Sequence, residues 1–162
     1  MAKKLRVPQG PTQVPTRNAS LQGGWKWCAK CQGLWYRDTD PGFCPAGGGH
    51  TDQGSGQYGL VLGDPANPGQ HSWRWCKKCE GLWFSGNHSL GICPAGPVHV
   101  HDGAGSGDYA LAHVASAPGQ HDWKWCIQCQ GLWFAGNNSP GACPADGGHV
   151  FSGSADYALK MV

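Results

Sequence analysis

The chain says the same thing three times. Trp25, Trp73 and Trp123 recur at offsets of 48 and 50, and Cys28, Cys76 and Cys126 follow them in step. Residues 68–99 and 118–149 align without a gap and share 20 of 32 positions, so these two copies must adopt one fold. The first copy, from about Gly23 to Leu62, diverges most: it lacks the PGQH lead-in and reads WYRD where the others read WFSG and WFAG. The expected division is an extended basic, Pro-containing arm over 1–22, then repeats over 23–66, 67–116 and 117–162. Pro- and Gly-containing stretches at Gly63–Gln70 and Ala115–Gln120 join them.

A unit of this kind cannot rest on an ordinary core. Leu, Ile, Val and Phe together supply only 24 of 162 residues, while Gly and Pro supply 27 and 12. Nine Cys and nine Trp stand out instead. The composition is that of a small scaffold stapled by cross-links or metal.

Each copy holds C-x2-C, a third Cys followed by Pro-Ala, and a His six positions beyond it. The sets are Cys28, Cys31, Cys44, His50; Cys76, Cys79, Cys93, His99; and Cys126, Cys129, Cys143, His149. Between the second and third Cys lie 12, 13 and 13 residues, the length of a hairpin that brings two ligand loops together. The Gly two positions after the second Cys (Gly33, Gly81, Gly131) lets a tight turn aim backbone N–H groups at the sulfurs. Three thiolates and an imidazole make a closed tetrahedral site, which suits structural zinc, three ions per chain, and leaves no position for a catalytic water. Disulfides are the competing account. Parity opposes them, since three Cys per copy leave one unpaired and nine cannot all pair within a monomer. Iron is the alternative metal. His71 and His121 precede the first ligand, but the first copy has Gly23 there, which favours a polar turn role. His101 competes with His99, and the shared spacing favours His99; His88 and His113 have no counterparts.

The secondary structure expected is all-β. Trp25-Lys26-Trp27 and its equivalents alternate as strands do, Gly-Leu-Trp-Phe/Tyr reads as the returning strand, and Tyr-x-Leu as a third. No stretch keeps a helical period. Three zinc-ribbon-like β-hairpin repeats, packed about a pseudo-threefold axis through Trp and Leu, are the expected architecture.

Several functions drop out. No run of 18 apolar residues occurs, and residues 1–20 lack the apolar stretch of a secretory signal, so the expected compartment is cytoplasmic, with export by another route left open. The lone glutamate, Glu80, removes the glutamate-dependent metallohydrolase and deaminase motifs, and no G-x-S-x-G occurs, so the chain reads as non-enzymatic. Residues 54–59 fit G-x-G-x-x-G, but no strand–helix context accompanies them and the third copy breaks the pattern with Ala155.

A binding role is left. Most of the nine Trp belong in the core, but one exposed per copy would make three equal platforms for sugar rings or unstacked bases, with Trp25, Trp35, Trp73, Trp83, Trp123 and Trp133 as candidates. Carbohydrate, in a lectin-like manner, is the first expectation. Single-stranded nucleic acid is the rival, and charge weighs against it: nine thiolates and three Zn2+ turn the formal +2 into about −1. That would leave the arm and the Lys26/Lys30 and Arg74/Lys77/Lys78 clusters, with only Lys124 in the third copy. The third class is a scaffold subunit docking through its basic arm on a protein partner or on its own copies as a homo-oligomer.

At W-x-W-C-x-x-C-x-G-L-W-[FY], C-P-A-x-x-x-H and G-S-x-x-Y-x-L the sequence resembles a tandem repeat of uncharacterised bacterial proteins, over about residues 23–160, and each knuckle is similar to zinc ribbons. The resemblance implies zinc and a small β-hairpin fold; it brings no activity. The second half departs from ribbons, with C-x5-H in place of C-x2-C.

Overall fold

The computed structural model describes residues 21–62, 69–100, 106–113 and 115–162. The arm up to Ser20, residues 63–68 of the first linker and His101 lie outside the described residues. Among the described residues there is no helix, and none therefore that could cross a membrane. The first copy forms β1 (Leu21–Trp27), β2 (Leu34–Tyr36) and β3 (Tyr58–Leu62). The second forms β4 (Gln70–Trp75), β5 (Leu82–Phe84) and β6 (Tyr109–Leu111), and the third β7 (Gln120–Trp125), β8 (Leu132–Phe134) and β9 (Tyr157–Met161). The protein is all-β.

In every copy the W-x-W strand is central, antiparallel to both neighbours. Trp25 pairs with Tyr36 on β2 and with Tyr58 on β3. The pattern repeats as Trp73 with Phe84 and Tyr109, and Trp123 with Phe134 and Tyr157. The register slips just before the first Trp, where Gly24, Ser72 and Asp122 have φ of 92°, 76° and 74°. Such a bulge is natural for glycine and strained for the other two. Asp108 and Asp156 hold them there, accepting the N–H of Ser72 at 2.8 Å and of Asp122 at 2.9 Å.

Two rings join the copies. The Tyr strands pair with one another through Gly59–Lys160, Val61–Ala110 and an isolated Ala112–Ala158 bridge, first half against second half, so β3, β6 and β9 close a triangle. Below it, bridges Trp35–Gly81, Trp83–Gly131 and Trp133–Gly33 close a second ring. The result is a nearly closed barrel about a pseudo-threefold axis.

Its core follows from the composition. Where aliphatics are few, Trp supplies the apolar area. Trp25, Trp73 and Trp123 are fully buried and meet the edges of Tyr109, Tyr157 and Tyr58 of other copies at 5.3–5.4 Å. The polar tips are satisfied by one glutamine each. Gln120 Oε1 accepts from Trp123 Nε1 at 2.9 Å and from Tyr58 Oη at 2.7 Å. Gln70 does so for Trp73 and Tyr157, and Gln22 for Trp25 and Tyr109. Gln22 therefore occupies the place of Gln70, at the 48-residue offset, although the PGQH around it is missing.

Candidate metal centre

Each C-x2-C turn sits between a W-x-W strand and its return. Cys28 follows β1 directly, and the turn is pinned by Gln32 N–H to Cys28 O at 2.8 Å and Cys28 N–H to Gly33 O at 3.0 Å. Gln32, Glu80 and Gln130 stand at φ 70°, the left-handed conformation that folds the turn back. The N–H of Gly33 and of Gly131 then points at the second sulfur of its own copy at 3.4 Å. On the opposite loop Ala46, Ala95 and Ala145 donate to the third sulfur at 3.4 Å. Sulfurs that accept backbone N–H bonds are stabilised as thiolates.

All three expected quartets assemble. In each, the four ligand atoms lie within 4.8 Å of one another. The first and third sulfurs are 3.8, 3.9 and 3.8 Å apart, and the second sulfur lies 3.7 Å from the His Nδ1. Ligands about 2.0–2.3 Å from a shared tetrahedral centre stand roughly 3.5–3.8 Å apart, so the pockets have the size such an ion needs. None of the nine cysteines is in a disulfide, and a gap near 3.8 Å rules out a bond in this arrangement. Disulfides, the alternative the sequence left open, are thus replaced by three buried Cys3His clusters that can hold metal ions.

Crowding sets the chemistry. Hydrogen bonds from its neighbours push the Cys28 thiol far down and, by the same contacts, push Cys31 up; Cys76 with Cys79 and Cys126 with Cys129 behave alike. A thiol must give up its proton to ligate, so metal uptake by such a cluster releases protons. His50 is pushed up to about 9: burial opposes its cation, and the sulfurs of Cys28 and Cys44 overcome that.

The imidazoles are held on three sides. Trp35, Trp83 and Trp133 stack on His50, His99 and His149 at 5.2 Å. Nδ1 faces the sulfurs, and Nε2 reaches a carbonyl of the next copy: His50 to Cys79 at 3.0 Å, His99 to Cys129 at 3.1 Å, His149 to Cys31 at 3.2 Å. A small apolar pocket of about 40 Å3 opens among the three sites, lined in part by Pro45, Pro94 and Pro144.

The aromatic expectation needs correcting. Trp25, Trp35, Trp73, Trp83, Trp123 and Trp133 are between 0 and 2 % exposed, so none offers a face to a sugar or a base. The first of each W-x-W pair is core, and the Trp of each return strand is committed to a ligand histidine. The half-buried ones are Trp27, Trp75 and Trp125, which the alternation of the strand turns to the same face as the first Trp but at its outer end. Their N–H groups are fixed by Gln32 at 3.0 Å, Glu80 at 2.8 Å and Gln130 at 2.9 Å. A sequence sees three equal indoles; only packing separates them.

Fold and clusters together define an all-β protein of three tandem metal-binding repeats. The chain matches no protein-family model, no curated protein and no solved structure.

Proposed function

We propose that the protein is a non-catalytic, multivalent binding module whose frame is set by three structural zinc ions. Four protein ligands per site, all buried except the half-buried His50, leave zinc, when bound, with no open position for substrate or water. The observation that carries the binding role is one half-buried Trp per copy, Trp27, Trp75 and Trp125, each with its indole N–H locked and part of its ring facing outward. Three equal platforms on a rigid frame favour a ligand with repeating units, and neutral carbohydrate fits an aromatic surface without a cationic groove.

The basic residues support carbohydrate over nucleic acid. Lys26 is buried, Arg74 and Lys124 face Asp108 and Asp156 at 4.0 and 3.6 Å, and Lys30 and Lys78 donate to the carbonyls of Gly47 and Gly96. A phosphate-binding protein keeps such groups for its ligand.

The test is a panel of neutral oligosaccharides and single-stranded oligonucleotides, titrated across a salt series against the zinc-loaded chain and against Trp27→Ala, Trp75→Ala and Trp125→Ala. Salt-insensitive oligosaccharide binding that weakens with each substitution is the expected result. Oligonucleotide binding that falls steeply with salt would give the site to nucleic acid, and silence across both sets would remove the platform role.

A further inference from the structure

We infer that the three metal sites load as one unit, so that the chain passes between metal-free and three-metal states with few intermediates. The inference rests on the metal reading above and concerns what links the sites.

The contacts between copies converge on the metal ligands. When a metal occupies Nδ1 of His50, its proton stands on Nε2, and that N–H is the donor to Cys79 O, the carbonyl of a ligand in the next site. The residue after each second Cys is engaged as well: Glu80, Gln130 and Gln32 accept the backbone N–H of Tyr36, Phe84 and Phe134 at 2.9 Å. Gly42, Gly91 and Gly141, with φ of 64°, 66° and 65°, complete the contact. A Cβ on any of them would run into the carbonyl oxygen of Cys79, Cys129 or Cys31.

The loop that one metal shapes, from the glycine before the third Cys to the His, therefore leans on the turn that the next metal shapes. The third site leans on the first through His149 and Cys31, which closes the series without an end. A metal bound at one site fixes half of the contact surface of each neighbour, and the next metal has less chain to order.

The arithmetic is direct. Three identical independent sites at half saturation leave about 75 % of chains carrying one or two metals, whereas a pairwise coupling of about fivefold in a closed ring lowers that to below about 40 %, and stronger coupling lowers it further.

Native mass spectrometry of the full chain, titrated with zinc from the metal-free state, reads these populations. Metal-free and three-zinc chains should dominate at half saturation. His149→Cys keeps four ligands at its site but deletes the Nε2 link to Cys31, and in that variant the one- and two-zinc species should rise. His50→Cys, which cuts the link to Cys79, should act alike and guards against one variant that does not fold. Zinc binding with independent-site populations in the parent chain would overturn the coupling while leaving the sites intact. No zinc binding at all would overturn the site assignment and the coupling with it.

Discussion

Glu80 is an acid where its two counterparts, Gln32 and Gln130, are neutral amides. Gln32 and Gln130 receive a tryptophan N–H and, from Asn137 and Asn87, an amide N–H at 3.1 Å. The Glu80 carboxylate receives the Trp75 N–H and faces Asp40 of the first copy. Burial pushes it up to about 7; the Trp75 bond works against that shift, and Asp40 adds to it. An acid whose pKa is raised on folding binds protons more tightly when folded, so its contribution to stability is greatest below about pH 4.5 and is lost as pH rises toward 7. Glu80→Gln should therefore differ least from the parent at the acid end of the range and exceed it by about 1–2 kcal/mol at pH 8. Denaturant melts of the zinc-loaded proteins at several pH values check this, and a gain independent of pH would refute it. The difference between Glu80 and its two counterparts is plain in the aligned repeats. Its burial is not, because the residue follows a ligand in a turn that sequence places at a surface.

At the level of elements, the strands were legible and their neighbours were not. Period-two alternation marks the Trp25–Trp27 end of β1, which in fact starts earlier, at Leu21, the Gly-Leu-Trp return places β2 within a residue, and spacing alone names all twelve residues of the three Cys3His clusters. The partner of each Tyr strand had no such signal: β3 bonds β1 of its own copy and, through Gly59 and Val61, both other Tyr strands. Gln120 is where this shows energetically, since one side-chain oxygen serves Trp123 of its own copy and Tyr58 of another. Tyr58→Phe removes one donor and leaves the Trp123 bond, and should cost about 1 kcal/mol. Gln120→Ala strands two buried donors and should cost about 2–4 kcal/mol. In a double-mutant cycle on the zinc-loaded chain the two losses should fall short of additive by about 1 kcal/mol or more. Strict additivity would mean that the bond between copies contributes nothing.

At the scale of the whole molecule, one repeat is an incomplete object. Trp123 is covered by Tyr58, His149 is oriented by Cys31, and Trp133 pairs with Gly33, all from the first copy. A peptide spanning residues 117–162 should therefore bind zinc far more weakly than the intact chain and give poorly dispersed amide signals even when saturated. A well-dispersed zinc-bound spectrum of that peptide would show that each copy folds alone. The four ligands, their spacing, the strand order within a copy and the all-β class are local properties, written into each stretch of about 48–50 residues because metal geometry and strand alternation act over short separations. Which indoles are buried, which histidine serves which neighbour, and the closing of three copies into a ring belong to the tertiary structure. Those are contacts between residues as far apart as His149 and Cys31, and no local pattern encodes a partner 118 positions away.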